Sequence, residues 1–255
     1  MEALPYPILE FDPAREALVE PSRLIEPRDM PEHCVICFFQ DVIAKVVQER
    51  SARVITSHRW EDAEHPVYEI ELDGRRLGLV HPGVGAPMAA GILEEMIPLG
   101  FRKFVACGGA GVLNKDIAVG HIVVPSAAVR DEGTSYHYLP PAREVSASPQ
   151  GVAAVERAIK QRGVPYLVGK TWTTDAPYRE THALVALRKS EGCLTVEMEA
   201  AAFFAVAQFR RVTFAQMLYG GDDVSGGEWD SRGWATRSDV RQNLFWLAAQ
   251  ACLSL

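Results

Sequence analysis

The chain has 255 residues, of which 48% are hydrophobic, 23% charged and 9% aromatic. That composition is ordinary for a globular protein and excludes a collagen-like or intrinsically disordered chain. The formal net charge of -7 excludes an overall basic surface for a nucleic-acid polymer, although small anions could still bind at a local cluster of donors. A core of this size needs no disulfide or metal to hold it.

The N-terminal stretch 1–15 carries prolines and acids, and it lacks the basic start and apolar run of a signal peptide. The sequence has no apolar stretch of about 18 residues, so no membrane span is predicted. We therefore expect a cytoplasmic protein with no membrane partner. We also expect residues 1–33 to form an extension packed on a single domain that covers 34–255.

The five cysteines lie inside apolar runs, which indicates reduced, buried thiols. Cys34 and Cys37 have the spacing of a redox or zinc pair. However, the sequence has no second Cys/His pair with the spacing that would complete a zinc site. A core strand is therefore the favoured interpretation of this pair, and we expect no metal.

Apolar runs of strand length alternate with segments of helical periodicity. Several runs are continuously apolar, which is typical of strands covered on both faces. Asp73-Gly74 lies between two such runs and predicts a hairpin with positive φ at both turn residues, so the sheet is not purely parallel. The alternation predicts an α/β protein with a mixed sheet flanked by helices. The predicted strands are 34–39, 53–57, 67–72, 76–81, 103–107, 121–129, 167–173, 193–196 and 212–219, and the predicted helices are 41–50, 86–99, 149–162, 181–190, 198–210 and 237–254.

Two glycine-rich motifs lie at the ends of predicted strands. In the first, Gly83 and Gly85 stand between a strand and a helix, where glycine lets the backbone approach a ligand and the helix start offers free N–H groups. The second, Cys107–Gly111, is predicted to be a loop after a strand, where the ligands of open α/β sheets collect. Its spacing fits neither the phosphate loop nor the dinucleotide fingerprint. An ordinary tight turn is the alternative for both motifs.

Two acidic motifs follow later strands. Glu197 and Glu199 lie at the start of a very apolar helix, where positions two apart point ~200° apart, so at least one is expected to face the interior or a cleft. A sugar diol would suit an inward carboxylate, because an ionised acid only accepts hydrogen bonds. Asp222 and Asp223, in a predicted glycine-rich loop, are candidates for acid catalysis or metal binding. The alternatives are an exposed helix start for the first pair and a polar turn or helix cap for the second.

Taken in this order, the motifs resemble those of nucleoside phosphorylases of the uridine phosphorylase and hexameric purine nucleoside phosphorylase type, with the related nucleosidases. The resemblance runs from about Cys34 to the C-terminus. It implies a single-domain three-layer α/β/α sandwich with a distorted mixed central sheet, in a homo-oligomer that is dimer-based or hexameric. It also implies cleavage of the N-glycosidic bond of a (deoxy)ribonucleoside through an oxocarbenium-like transition state. The products would be the free base and (deoxy)ribose 1-phosphate, with inorganic phosphate as co-substrate and no cofactor.

The resemblance further implies roles for individual residues. Glu199 would accept a hydrogen bond from the ribose 2′-hydroxyl, with Met198 packing against the sugar and Glu197 beside it. Asp222 would protonate the departing base, and Asp223 is the alternative one residue along. The residues where the family contacts the base are Thr174, Tyr178, Arg179 and Glu180. The residues for phosphate, another anion or water are Gly85, Gly108, Gly109, Arg59 and Asp41.

The chain departs from the phosphorylase pattern at two phosphate-binding positions. The Gly-Asp-x-x-Arg motif expected after the first core strand is replaced by Phe38–Val42. Ala106 and Cys107 stand where uridine phosphorylases have an arginine before the glycine-rich motif. Arg59 still resembles a phosphate arginine, and it would act across a subunit boundary. These departures leave two alternatives, a nucleosidase in which Asp41 activates water and a catalytically idle nucleoside-binding protein.

The identity of the base stays open at this point. Asp222 favours a purine or purine-like leaving group, and the Gln-x-Arg pair with which uridine phosphorylases bind uracil is not evident after Tyr178. Trp229 and Trp234 flank residues 230–233. That stretch fits either a lid over the base or a docking segment ahead of the last helix.

Overall fold

The computed structural model describes residues 3–255. Its ten strands are β1 (His33–Cys37), β2 (Arg53–Arg59), β3 (Glu64–Leu72), β4 (Arg75–Val80), β5 (Lys103–Val112), β6 (Ile122–Asp131), β7 (Glu144–Ser146), β8 (Tyr166–Thr174), β9 (Cys193–Glu197) and β10 (Thr213–Asp223). Its seven α-helices are α1 (Pro21–Leu24), α2 (Gln40–Glu49), α3 (Ala86–Leu99), α4 (Pro149–Gln161), α5 (His182–Ser190), α6 (Ala200–Arg210) and α7 (Ser238–Leu253).

All the predicted strands and helices are present, with ends that differ by a few residues. The sequence does not predict β7 or α1, because three or four residues are too few to show a periodicity. Asp73 and Gly74 have φ values of 52° and 72°, and they join β3 to β4 as an antiparallel pair. The predicted hairpin is therefore confirmed.

The sheet is mixed and curls until it closes on itself. Successive pairings run from β5 to β10, β6, β8 and β9, and β9 pairs with β5 again. From β5 the sheet also continues through β1, β4 and β3 to the edge strand β2. Helices flank this sheet, so the predicted α/β/α arrangement around a distorted mixed sheet is confirmed, and the closure of five strands is the distortion.

Helices cover both faces of the central strand β5. Val105 and Cys107 pack with residues of α2, α4 and α7, whereas Phe104 and Ala106 pack with residues of α3 and α6. Successive residues of a strand point to opposite faces of the sheet. The continuously apolar sequence of β5 therefore reflects burial on both sides.

Two glycine-rich segments are largely strand. The predicted loop at 107–111 is wrong, and residues 220–223 of the predicted loop 220–227 belong to β10. β5 continues through the first segment and β10 through the second. The two strands pair with each other over most of their length. A Cβ atom at Gly109 would lie 3.1 Å from the ring of Tyr219. Glycine occupies this position because the backbone and a neighbouring side chain approach closely, and not because the chain turns there.

The cysteines lie where the apolar pattern predicts. Cys34 and Cys37 are fully buried in β1, and all five cysteines are free and buried. This agrees with the core-strand interpretation of the pair. Among residues 3–255, no helix combines the length and the apolar character needed to cross a membrane.

The described part of the predicted N-terminal extension contacts α3 and α6. Arg210 of α6 pairs with Glu20 at 3.1 Å, and the N–H of Arg28 donates to the carbonyl of Leu99 at the end of α3. β1 begins at His33, one residue before the predicted domain boundary. Residues 1 and 2 of the predicted extension lie outside the described residues.

Phe214 of β10 packs between the sheet and α6, so its truncation tests how much this packing stabilises the fold. Phe214 is fully buried and stacks on Phe203 with ring centroids 4.7 Å apart. We expect Phe214→Ala to lower the free energy of unfolding by about 3–5 kcal/mol, because the surrounding rings cannot collapse into the cavity. Urea unfolding measures this change. The control Val54→Ala, at a half-exposed position on the edge strand, should cost less than about 0.5 kcal/mol. A loss below about 1 kcal/mol for the Phe214 variant would contradict the packing described.

Candidate active site

Two cavities have Trp234 in common as a lining residue. The first has a volume of about 310 Å³, and we call it the glutamate cavity. The second has a volume of about 550 Å³, and we call it the tryptophan cavity. The glutamate cavity is lined by Phe38, Phe39, Val84, Gly108, Gly109, Glu197, Met198, Glu199, Gln216, Trp234 and Arg241. The tryptophan cavity is lined by Pro177, Tyr178, Glu180, His182, Asp222, Val224, Gly226, Glu228, Trp229 and Trp234.

The junction of β9 and α6 buries two carboxyl groups. Glu197 accepts hydrogen bonds from the N–H groups of Glu199 and Ala200 at 2.7 Å each, and from the hydroxyl of Thr173 at 2.6 Å. These bonds satisfy the first N–H groups of α6 and fix residue 199. Glu199 accepts a hydrogen bond from the N–H of Gly85 at 2.6 Å. Both glutamates are buried, so the expectation that at least one faces inward is confirmed.

The two buried carboxyl groups differ in how well their charges are stabilised. Burial, with the charge of Glu197 nearby, raises the pKa of Glu199 to about 8. Burial also raises the pKa of Glu197, but the hydrogen bonds to its oxygens oppose that rise. We therefore assign the charge to Glu197 and expect Glu199 to be the neutral acid at pH 7 in the empty cavity.

In the tryptophan cavity a carboxylate lies beside a second acid. Asp222 accepts a hydrogen bond from the indole N–H of Trp229 at 2.7 Å. Burial and the charge of Asp222 raise the pKa of Glu180 to about 7. The side chain of Asp223 accepts from the N–H of Ser225 at 2.7 Å and so caps its own turn. Of the two predicted acids, Asp222 therefore lines a cavity and Asp223 does not.

Several other predicted residues also lie at the two cavities. Met198, Gly108 and Gly109 line the glutamate cavity, and Tyr178 lines the tryptophan cavity. Thr174 is buried at the end of β8, where its hydroxyl accepts from the N–H of Ala176 at 3.2 Å. The fold thus brings together residues that are far apart in the sequence.

Besides Asp223, Thr174 and Gly85, three predicted residues line neither cavity. Arg179 is exposed in the turn after β8, and Arg59 is exposed at the end of the edge strand β2. Asp41 lies in the first turn of α2 and is half-exposed, with one carboxylate oxygen 3.4 Å from a guanidinium nitrogen of Arg241. Their predicted roles in base, anion or water binding stay predictions.

Sequence reasoning missed two polar residues of the glutamate cavity. Gln216 lies in the middle of β10 and is 1% exposed. Its position in the apolar run Phe214–Tyr219 is a signal, because an uncharged amide is unusual in a strand covered on both faces. Arg241 lies in the first turn of α7 and belongs to none of the motifs. Nothing in the local sequence distinguishes it from an ordinary surface arginine.

The raised pKa of Glu199 makes the stability of the fold depend on pH. The folded state holds a proton that the unfolded state, with a carboxyl pKa near 4.5, releases. The free energy of unfolding is therefore expected to fall as pH rises from about 5 to about 8. Glu199→Gln should make that fall shallower in urea titrations at several pH values, and the surface change Glu61→Gln should not. Parallel pH profiles for the wild type and the Glu199 variant would contradict this assignment.

Comparison with known proteins gives the family. Residues 32–246 match the model of the phosphorylase superfamily. A guanosine phosphorylase of Halorubrum lacusprofundi is 33% identical over 150 residues, which are 58% of this chain and 61% of that protein. The uridine phosphorylase of Escherichia coli is 32% identical over 124 residues, which are 49% of this chain and 47% of that protein. The alignments thus span about half to three fifths of the length of these relatives.

The fold is also that of solved structures. The crystal structure of a uridine phosphorylase from Vibrio fischeri superimposes with a TM-score of 0.76 at 20% identity. The superposition covers 92% of this chain and 98% of that chain. Because the family model covers most of the sequence and the fold agrees over nearly its whole length, this chain belongs to the phosphorylase superfamily.

Proposed function

We propose that this chain cleaves the N-glycosidic bond of a (deoxy)ribonucleoside by phosphorolysis, releasing the free base and (deoxy)ribose 1-phosphate. The observation that carries the proposal is that Glu199 and Asp222 line two cavities with the common wall Trp234. A sugar in the glutamate cavity and a base in the tryptophan cavity would put the scissile bond between the two carboxyl groups. The guanosine and uridine phosphorylases among the relatives support the same class of reaction.

The glutamate cavity suits the sugar. Glu199 accepts a hydrogen bond from the 2′-hydroxyl, and Met198 packs against the sugar ring. The negative charge of Glu197 lies behind them. As positive charge develops at C1′ in the transition state, the hydrogen bond to Glu199 strengthens and these acids stabilise that charge.

The tryptophan cavity suits the base. As the C1′–N bond breaks, its electron pair goes to the base nitrogen, and Asp222 delivers to that nitrogen the proton that it shares with Glu180. A neutral base leaves more readily than its anion. The indole N–H of Trp229 orients Asp222. Glu180 contacts a polar edge and Tyr178 the face of a purine-like base.

The working enzyme is a homo-oligomer in the cytoplasm, built from dimers. Arg59 is exposed on the edge strand and lines neither cavity of its own chain, which supports its use in the site of a neighbouring subunit. Inorganic phosphate is the co-substrate, and no other cofactor takes part. The five buried thiols suit a reducing compartment.

Hydrolysis is the second candidate. The observation that favours it is the replacement of the expected phosphate motif by Phe38–Val42, with Asp41 in the first turn of α2. In that case Asp41 would activate a water molecule, and the products would be the free base and the free sugar.

Product analysis distinguishes these reactions. Uridine, inosine, adenosine, guanosine and methylthioadenosine are incubated with the protein with and without inorganic phosphate, and the products are separated by chromatography. We expect base and sugar 1-phosphate, and only when phosphate is present. Base and free sugar in both buffers would replace phosphorolysis by hydrolysis. Binding of a nucleoside in calorimetry without release of any base would identify a catalytically idle binding protein.

Two single substitutions test the assignment of the acids. We expect Glu199→Gln and Asp222→Asn each to lower kcat by about 10²–10⁴-fold, because each removes an interaction that is strongest in the transition state. Steady-state kinetics measure this effect, and thermal unfolding checks that the fold is kept. The matched control is Asp223→Asn, which makes the same chemical change one residue along and should keep kcat within about threefold. Normal turnover in both test variants would disprove the site assignment.

A further inference from the structure

The buried amide of Gln216 lacks a hydrogen-bond donor. Gln216 is 1% exposed and lines the glutamate cavity, and its Oε1 atom has no hydrogen-bond partner in the described part of the chain. Buried amide oxygens nearly always have a donor. The residue beside it in the sheet is Ala106, its register partner on β5, whose methyl group offers none. A donor for this oxygen is therefore expected from a molecule bound in the cavity.

Arg241 brings a positive charge to the same cavity. Its guanidinium group lies over the ring of Phe39 at 5.3 Å and the ring of Trp234 at 5.6 Å. Within residues 3–255, its hydrogen bonds go to the hydroxyl of Tyr219 at 3.3 Å and to Asp41 at 3.4 Å. Both distances are at the long end of the range for hydrogen bonds. Arg241 is 14% exposed in its side chain, so a second acceptor in the cavity would bind it with little competition from water.

We propose that Arg241 and Gln216 together bind the phosphate that attacks C1′. This inference rests on the proposed function, because it names the anion-binding residues of the same site. Arg241 supplies the positive charge and N–H donors for the phosphate oxygens. Gln216 donates through its amide nitrogen and accepts, through Oε1, from the hydroxyl group that hydrogen phosphate keeps at neutral pH.

The chemistry of the two side chains predicts selectivity between anions. Sulfate has the shape and charge of hydrogen phosphate but carries no hydroxyl at neutral pH, so it cannot donate to the Oε1 atom of Gln216. Phosphate is therefore favoured over sulfate at this site. In the reaction a charged phosphate oxygen forms the bond to C1′ as the C1′–N electron pair moves to the base, and the hydroxyl held by Gln216 stays on phosphorus.

The test measures phosphate binding and turnover separately. Titration of the 255-residue chain with inorganic phosphate, followed by calorimetry and by the fluorescence of the tryptophans, gives a Kd without any reaction. Arg241→Ala should raise this Kd, and the KM for phosphate, by about tenfold or more, because a charge-assisted contact is lost. Nucleoside binding should change by less than about twofold. Arg237→Ala is the matched control, since it removes the same charge from the exposed start of α7 outside the cavity.

A second variant tests the role of the amide. Gln216→Met keeps the length of the side chain and removes its donor and acceptor. We expect weaker phosphate binding and a smaller preference for phosphate over sulfate in competition titrations. The inference is overturned if wild-type protein binds no phosphate, or if Arg241→Ala and Gln216→Met, both folded by thermal unfolding, bind it like the wild type. Base release without phosphate would overturn the proposed phosphorolysis. The Kd values for phosphate would still show whether Arg241 and Gln216 bind this anion.

Discussion

The three hydrogen bonds to the carboxylate of Glu197 are the interaction on which the site depends. They join the end of β9 to the first N–H groups of α6 and to Thr173 on β8. Both carboxylate oxygens are used in this way, so Glu197 contributes to a ligand mainly by fixing the next acid. Glu199 then reaches across to the N–H of Gly85 and ties α6 to the turn that begins α3. The buried carboxylate of Glu197 thus holds β8, β9 and the start of α6 together at the cavity.

The charges around the glutamate cavity suit a cationic transition state. Glu197 is negative and Arg241 positive, and in the proposed complex Glu199 releases its proton to solvent as a sugar hydroxyl donates to it. In the proposed reaction, hydrogen phosphate adds negative charge on one side of the sugar while the acids lie near its hydroxyl groups. A positive C1′ formed between them is stabilised by groups that are already in place. The neutral rings of Phe39 and Trp234 beside Arg241 keep its charge partly shielded from water.

The sequence predicts most of this fold because the signals are local. Continuously apolar strands, helical periodicity and the Asp73-Gly74 turn each depend on neighbouring residues. The prediction fails at the glycines of β5 and β10, where close packing against a distant side chain such as Tyr219 decides the conformation. It also does not predict that five strands close into a ring, because closure depends on the curvature that the twist of all the strands produces together.

The prediction of the site residues also depends on whether their signal is local. Glu199 and Asp222 are predicted from the sequence because each lies in a motif at the end of a strand, and each lines a cavity. Arg241 is missed because it belongs to an unremarkable helix. Gln216 is missed because its one signal, an amide inside an apolar strand, does not by itself indicate a ligand. The chain also lacks the expected arginine at Ala106, and it is the fold that places Gln216 directly beside that position. The sequence around Ala106 does not indicate that Gln216, from a distant segment, lies beside it.

One continuous stretch of the chain contributes residues to both cavities. Asp222, its indole partner Trp229, the shared wall Trp234 and the cation Arg241 all belong to the continuous stretch 222–241. In the proposed enzyme, this stretch contacts the leaving group at its beginning and the nucleophile at its end. A single exchange of this segment between related genes would therefore alter the choice of base and the choice of attacking anion in one evolutionary step. The core that carries Glu197 and Glu199 would remain unchanged.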